Sequence, residues 1–145
     1  MQTADGELAT NEAAFHAFHQ ALIDKDLDRI VDIHSDDATL EFPFAPPGFP
    51  RRVEGREQIR EFERPISESV ASCSFHNLTM RPLGGPNTLV AEYSGVVELT
   101  SGRSYNNTYC VIVEFRDGLM HHVREYFNPL VIQAAELVAG NPEGS

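Results

Sequence analysis

Three alternating apolar stretches, Leu89–Leu99, Ser104–Phe115 and Leu119–Phe127, are separated only by turns at Ser101-Gly102 and Asp117-Gly118. Asp-Gly between two such runs marks a two-residue hairpin, because both turn positions need a positive φ. This half of the chain is committed to an antiparallel meander. Phe75–Leu83, followed by Gly84-Gly85-Pro86-Asn87, adds a further strand before it.

The first half has a different period. Phe15, Phe18, Leu22 and Ile23 recur at helical spacing behind Asn11, which reads as the N-cap of a helix over 11–24. Asp26 caps a second short helix through Ile30, Val31 and Ile33, closed by Asp36-Asp37. Ala38–Pro43 reads as a strand whose inward set is either Leu40 and Phe42 or Thr39 and Glu41. The proline-rich loop 43–50 is stiff, and it either packs on the core or lids a cavity. Residues 56–72 are helical, with Ile59, Phe62, Ile66 and Val70 on one stripe and a kink expected at Pro65. Pro129 opens a last helix, Leu130–Val138. Helices first and strands after predict one α+β domain over 1–145, core about 8–138, with the helices on one face of the sheet.

Hairpin register follows if both turns are two-residue loops. Glu125 then pairs with Cys110, and Cys110 with Tyr93. One face carries Ala91, Tyr93, Gly95, Val97, Thr108, Cys110, Ile112, Val123, Glu125 and Phe127. The other carries Glu92, Ser94, Val96, Glu98, Asn107, Tyr109, Val111, Val113, His122, Arg124 and Tyr126. The first is apolar except for Thr108, the Tyr93 hydroxyl and Glu125, so the helices cover it. The second is mixed and suits a subunit interface. A carboxyl on an apolar face has a raised pKa and moves protons near neutral pH. The competing reading is a glutamate bonded to Tyr93 or to a backbone amide.

Composition removes several classes of function. With 22 acidic against 11 scattered basic residues, the net charge is −11, which argues against nucleic acid and anionic membrane as partners. No apolar run approaches the roughly 20 residues of a membrane span, and no signal peptide is seen. Cys73 and Cys110 are far apart and fit no zinc spacing, so a cytoplasmic protein with reduced thiols is expected. His121 and His122 point to opposite faces of one strand. Neither a metal nor a cofactor is expected. There is no phosphate loop, nucleophile elbow or dinucleotide fingerprint.

The run Tyr105-Asn106-Asn107-Thr108-Tyr109 with Phe115, then Asp117-Gly118-Leu119-Met120 and Arg124-Glu125-Tyr126-Phe127-Asn128-Pro129, resembles the nuclear-transport-factor-2-like superfamily. Within it the chain is most similar to SnoaL-like polyketide cyclases and phenazine-biosynthesis A/B proteins. The resemblance covers about residues 8–138. It implies a cone, a curved antiparallel sheet wrapped on three helices around a deep pocket, usually as a homodimer. It also implies an acid/base role for Glu125. Phenazine A/B proteins use a histidine on the third helix, and the matching position falls at Phe62 or a near neighbour. No histidine lies in residues 35–75, which weighs against phenazine condensation itself.

The expectation is a small-molecule pocket protein of secondary metabolism. It would be a cofactor-independent isomerase or cyclase acting on an apolar polycyclic or aromatic ligand. Glu125 would be the acid/base. Tyr93 and His76 would orient the ligand, and Phe42, Phe44, Phe62, Ile66, Cys110 and Phe127 would line the cavity. The alternative is a non-catalytic binding or accessory module, again a homodimer through the outer sheet face. A weaker third reading is a protein-interaction domain.

Overall fold

A computed structural model describes residues 3–142 of the chain. The elements are α1 (Ala4–Ile23), α2 (Leu27–Asp32), β1 (His34–Glu41), β2 (Arg52–Glu54), α3 (Gly55–Ser69), β3 (Val70–Pro82), β4 (Thr88–Leu99), β5 (Ser104–Arg116), β6 (Leu119–Tyr126) and α4 (Pro129–Ala135). The six strands form one open sheet in the order β2-β1-β6-β5-β4-β3. It is mixed, because β1 runs parallel to β6 while every other pair is antiparallel. The helices cover one face, giving the expected α+β architecture.

The first helix starts seven residues earlier than its periodicity predicts. Thr3 is the N-cap, its side chain accepting from Gly6 N at 3.0 Å. Asn11 lies inside α1 and is 1 % exposed. Its Nδ2 donates to Pro86 O at 2.8 Å and Asn87 Oδ1 at 3.1 Å, which pins α1 to the β3–β4 turn. A buried amide pays its desolvation only through such bonds, and a local pattern does not reveal partners 75 residues away. Asp36 and Asp37 also differ from expectation. They lie within β1 and pair outward with Arg56 (2.9 Å) and Arg116. The inward set of β1 is Ala38 and Leu40, continued by Phe42.

Pro65 does not break α3. Proline removes the N–H that would reach Glu61 O, and the chain's last segment packs over that place. Gly140 N donates to Phe62 O at 3.1 Å. A Cβ on Gly140 would stand 1.8 Å from Glu61 O, a backbone atom that cannot swing aside. Gly140→Val should therefore lift the tail from α3 and cost roughly 1–3 kcal/mol, the usual range for overpacking. Denaturant melts, together with faster proteolysis after residue 136, would show it. An unchanged melt would mean the tail contributes nothing to stability.

Register shows where sequence counting fails. The β4–β5 connection is a three-residue loop, Thr100 to Gly102, with Leu99 N bonded to Arg103 O and Gly102 at φ +90°. The β5–β6 turn is the expected two-residue Asp117-Gly118, both at positive φ. A bulge then follows, so that Phe115 pairs with Met120 but Glu114 pairs with His122. Each change slips pairing by one residue, and side chains alternate with period two. The two slips cancel across β5, so β4 and β6 keep their expected faces while β5 is reversed. Tyr105, Asn107, Tyr109, Val111 and Val113 point inward, and Thr108, Cys110 and Ile112 outward.

Candidate functional site

Between the helices and the inner sheet face lies a cavity of about 110 Å³. It is walled by α3 (Phe62, Glu63, Ile66), β3 (Cys73, Phe75), β4 (Tyr93, Val97), β5 (Tyr105, Tyr109) and β6 with its following residue (Glu125, Phe127). A deeper recess of about 40 Å³ shares Phe62, Glu63, Tyr93 and Glu125 and adds His34, Leu40 and Phe42. Phe49 of the proline-rich loop and Leu137 of the tail stand between the cavity and an outer depression formed by that loop and α4. The loop is thus part of the cavity wall.

Two carboxyls face this space. Glu125 enters from β6, opposite Val111, and Glu63 from α3, where it is 6 % exposed. No described residue donates a hydrogen bond to either. Burial pushes the Glu63 carboxyl up to about 8, and the charge of Glu125 adds to the rise. Burial pushes Glu125 up to about 7. The charge of one opposes ionisation of the other, so the two titrate as a coupled pair. Near neutral pH it holds at least one proton, so one carboxyl is an acid and the other a base.

Glu63 is absent from the sequence-derived candidates, although its signal was present. It stands four residues after Ile59 and three before Ile66, so it falls on the apolar stripe of α3. It is also the near neighbour of Phe62 on the helix where the resemblance implies a histidine. Asn107 and Tyr109 fall on the outer face when both turns are counted as two-residue loops, and the β5 reversal brings them inside with Tyr105.

Among the sequence-derived candidates, Tyr93, Phe62, Ile66 and Phe127 line the main cavity with Glu125, and Phe42 lines the recess. Three do not line it. His76 is exposed and bonded to Ser74 Oγ at 2.8 Å, because β3 turns it away from the helices. Cys110 is on the outer face, a consequence of the β5 reversal, and Cys73 is the cavity thiol instead. Phe44 is 55 % exposed and lies against Tyr126, 5.5 Å between ring centres, outside the cavity.

Two histidines of the N-terminal half are buried in the core. His34 Nδ1 donates to Ile30 O at 2.8 Å, and burial lowers its pKa to about 4. His19 stacks on Phe75 at 4.0 Å and meets the edge of Tyr93 at 4.4 Å. Burial, with the charge of His16, lowers it to about 4 as well. Both are neutral at pH 7. Among the described residues no group of three or more His, Cys, Asp or Glu is placed to hold a metal ion. No described helix is long and apolar enough to cross a membrane.

Residues 15–123 match the SnoaL-like domain family. The chain belongs to the SnoaL-like family. It is 31 % identical over 121 residues to the uncharacterized protein YesE of Bacillus subtilis strain 168, covering 81 % of each chain. It is 31 % identical over 118 residues to the uncharacterized PhzA/B-like protein PA3332 of Pseudomonas aeruginosa, covering 75 % of this chain and 83 % of that one. The crystal structure of a candidate isomerase from Bacillus subtilis superposes with a TM-score of 0.84 at 28 % identity, over 90 % of this chain and 94 % of the other. The SnoaL-like match and these neighbours make the fold the nuclear-transport-factor-2-like cone.

Proposed function

We propose that this SnoaL-like chain is a cofactor-independent acid–base enzyme of the isomerase or cyclase class, working on a small apolar ligand. The observation that carries the reading is the carboxyl pair. Glu63 and Glu125 come from different elements, face one cavity, and both titrate near neutral pH. Unpaired buried carboxyls cost free energy and persist where they are used. Glu125, with the lower pKa, takes a proton from the ligand. Glu63, with the higher, gives one back at another atom. Such a shuttle needs no cofactor.

Of the polycyclic or aromatic ligands expected from sequence, the cavity favours a single aromatic-sized ring. A cavity of about 150 Å³ accommodates benzene, the size reached by the main cavity of about 110 Å³ with the adjoining recess of about 40 Å³. In this reading the protein is a cytoplasmic homodimer of secondary metabolism joined through the outer sheet face. That face presents Val96, 40 % exposed, and also Tyr126, on which Phe44 packs.

NMR titration of selectively labelled glutamate side chains tests the acid–base role. The pair should give two apparent pKa values between about 6 and 9. Values near the ordinary 4.3 for both carboxyls would leave only the binding-module alternative.

A further inference from the structure

We propose that residues 136–142 form a strap that lifts to admit the ligand, with Leu137 as the moving leaf and Phe49 as the fixed jamb. The inference goes beyond the acid–base reading and holds equally for a cavity that only binds.

Position is the first argument. Phe49 and Leu137 are the residues that line both the inner cavity and the outer depression, which measures about 250 Å³. Pro46, Pro47, Ile132 and Val138 also line the depression, so it offers an apolar approach. Lifting Leu137 joins that approach to the space faced by Glu63 and Glu125.

The two sides of this opening are held very differently. The Phe49 ring packs on Phe42, Phe62 and Phe127, with 5.3, 5.5 and 5.6 Å between centres. Phe49 N donates to Pro46 O at 3.0 Å, and the prolines around it fix the backbone. Phe49 therefore stays in place.

Leu137 follows the end of α4, where Glu136 turns the chain through a left-handed φ of +55°. The helix before that turn is anchored. Ile132 and Ala135 are buried, and Arg103 reaches Ala134 O at 3.4 Å and the Glu136 carboxylate at 3.6 Å. Beyond the turn the described residues join neither helix nor strand. Leu137 N donates back to Ile132 O at 3.2 Å, so the pivot lies there. Past the pivot, among the described residues, the strap is tied to the body by Gly140 N to Phe62 O at 3.1 Å and Asn141 Nδ2 to Gly48 O at 3.2 Å. Val138 is 66 % exposed, so lifting the strap uncovers little apolar surface.

A segment with few bonds and little burial opens locally, whereas helices and strands open only with larger parts of the fold. The other walls of the cavity are helix and strand. A closed site must open for its ligand to enter or leave, and such a step sets both rates alike. Easier opening thus speeds entry and exit together and leaves the affinity unchanged.

Fluorobenzene, a single ring, is the probe. Exchange spectroscopy by fluorine NMR gives its entry rate, exit rate and Kd on the full chain. Asn141→Ala removes one tie without touching the cavity wall. It should raise both rates about three- to tenfold, as the loss of one hydrogen bond implies, with Kd unchanged. Gly140→Val, which displaces the other tie, should raise them at least as much. If Gly140→Val does not fold, Asn141→Ala decides alone. Leu22→Ala opens the wall on α1 instead and should leave the entry rate as in wild type. Unchanged rates in the strap variants, a faster exit with unchanged entry, entry accelerated more by Leu22→Ala, or no uptake of fluorobenzene by wild type would overturn the proposal. Ordinary carboxyl pKa values would sink the acid–base reading and leave the strap's role in place.

Discussion

Glu63→Gln should unfold at a higher temperature than wild type at pH 8 and at nearly the same temperature at pH 4. Burial holds Glu63 at about 8 in the folded protein, against an ordinary value of 4.5. Between those values the native state binds more protons than the unfolded state, so stability falls as pH rises. The contribution is fully present below the unfolded pKa and is lost as pH rises through the folded one. Glutamine keeps the shape and cannot ionise, so the variant escapes the loss. The gain at pH 8 should be about 2–4 kcal/mol, or roughly 5–10 °C for a chain of this size. Scanning calorimetry at the two pH values measures it. An equal shift at both would show a packing effect, and a loss at pH 8 would show that the Glu63 charge is paired and stabilising.

The second large effect is on proton transfer. Nitroethane is a small carbon acid, and exchange of its acidic hydrogens in D₂O is followed by proton NMR without knowing the natural substrate. Wild type should accelerate exchange above an equal concentration of acetate. Glu125→Gln should remove about 10²–10⁴-fold of that acceleration, the usual worth of a positioned base. The wild-type rate should rise with pH through about 7, where Glu125 loses its proton. A variant as active as wild type would take the base role away from Glu125.

Much of this arrangement was legible in the residues. Alternation and hairpin turns placed Tyr93, Glu125 and Phe127 on the covered face, and helical spacing put Phe62 and Ile66 above them. Turn length was not legible. Ser101-Gly102 fits a two- or a three-residue loop equally well, and nothing local marks the bulge before His122. Because each choice moves a strand by one residue, those two details alone decided whether Cys110 or Tyr109 reached the cavity. Glu63 was legible in principle, since the apolar stripe of α3 passes through it. His34 and Asn11 were not, because their burial depends on partners far along the chain.

The paired slips on either side of β5 have a consequence for how such a chain can change over generations. Removing one residue between Leu99 and Ser104 and adding one after Arg116, with both turns keeping their present lengths, would slide β5 by one place and turn it over like a key in a lock. Thr108, Cys110 and Ile112 would replace Tyr105, Asn107 and Tyr109 inside, while Glu63 and Glu125 stayed where they are. One scaffold with one proton-moving pair could so present a different wall to its ligand. One deletion and one insertion would reach a new repertoire that many separate substitutions would otherwise have to build.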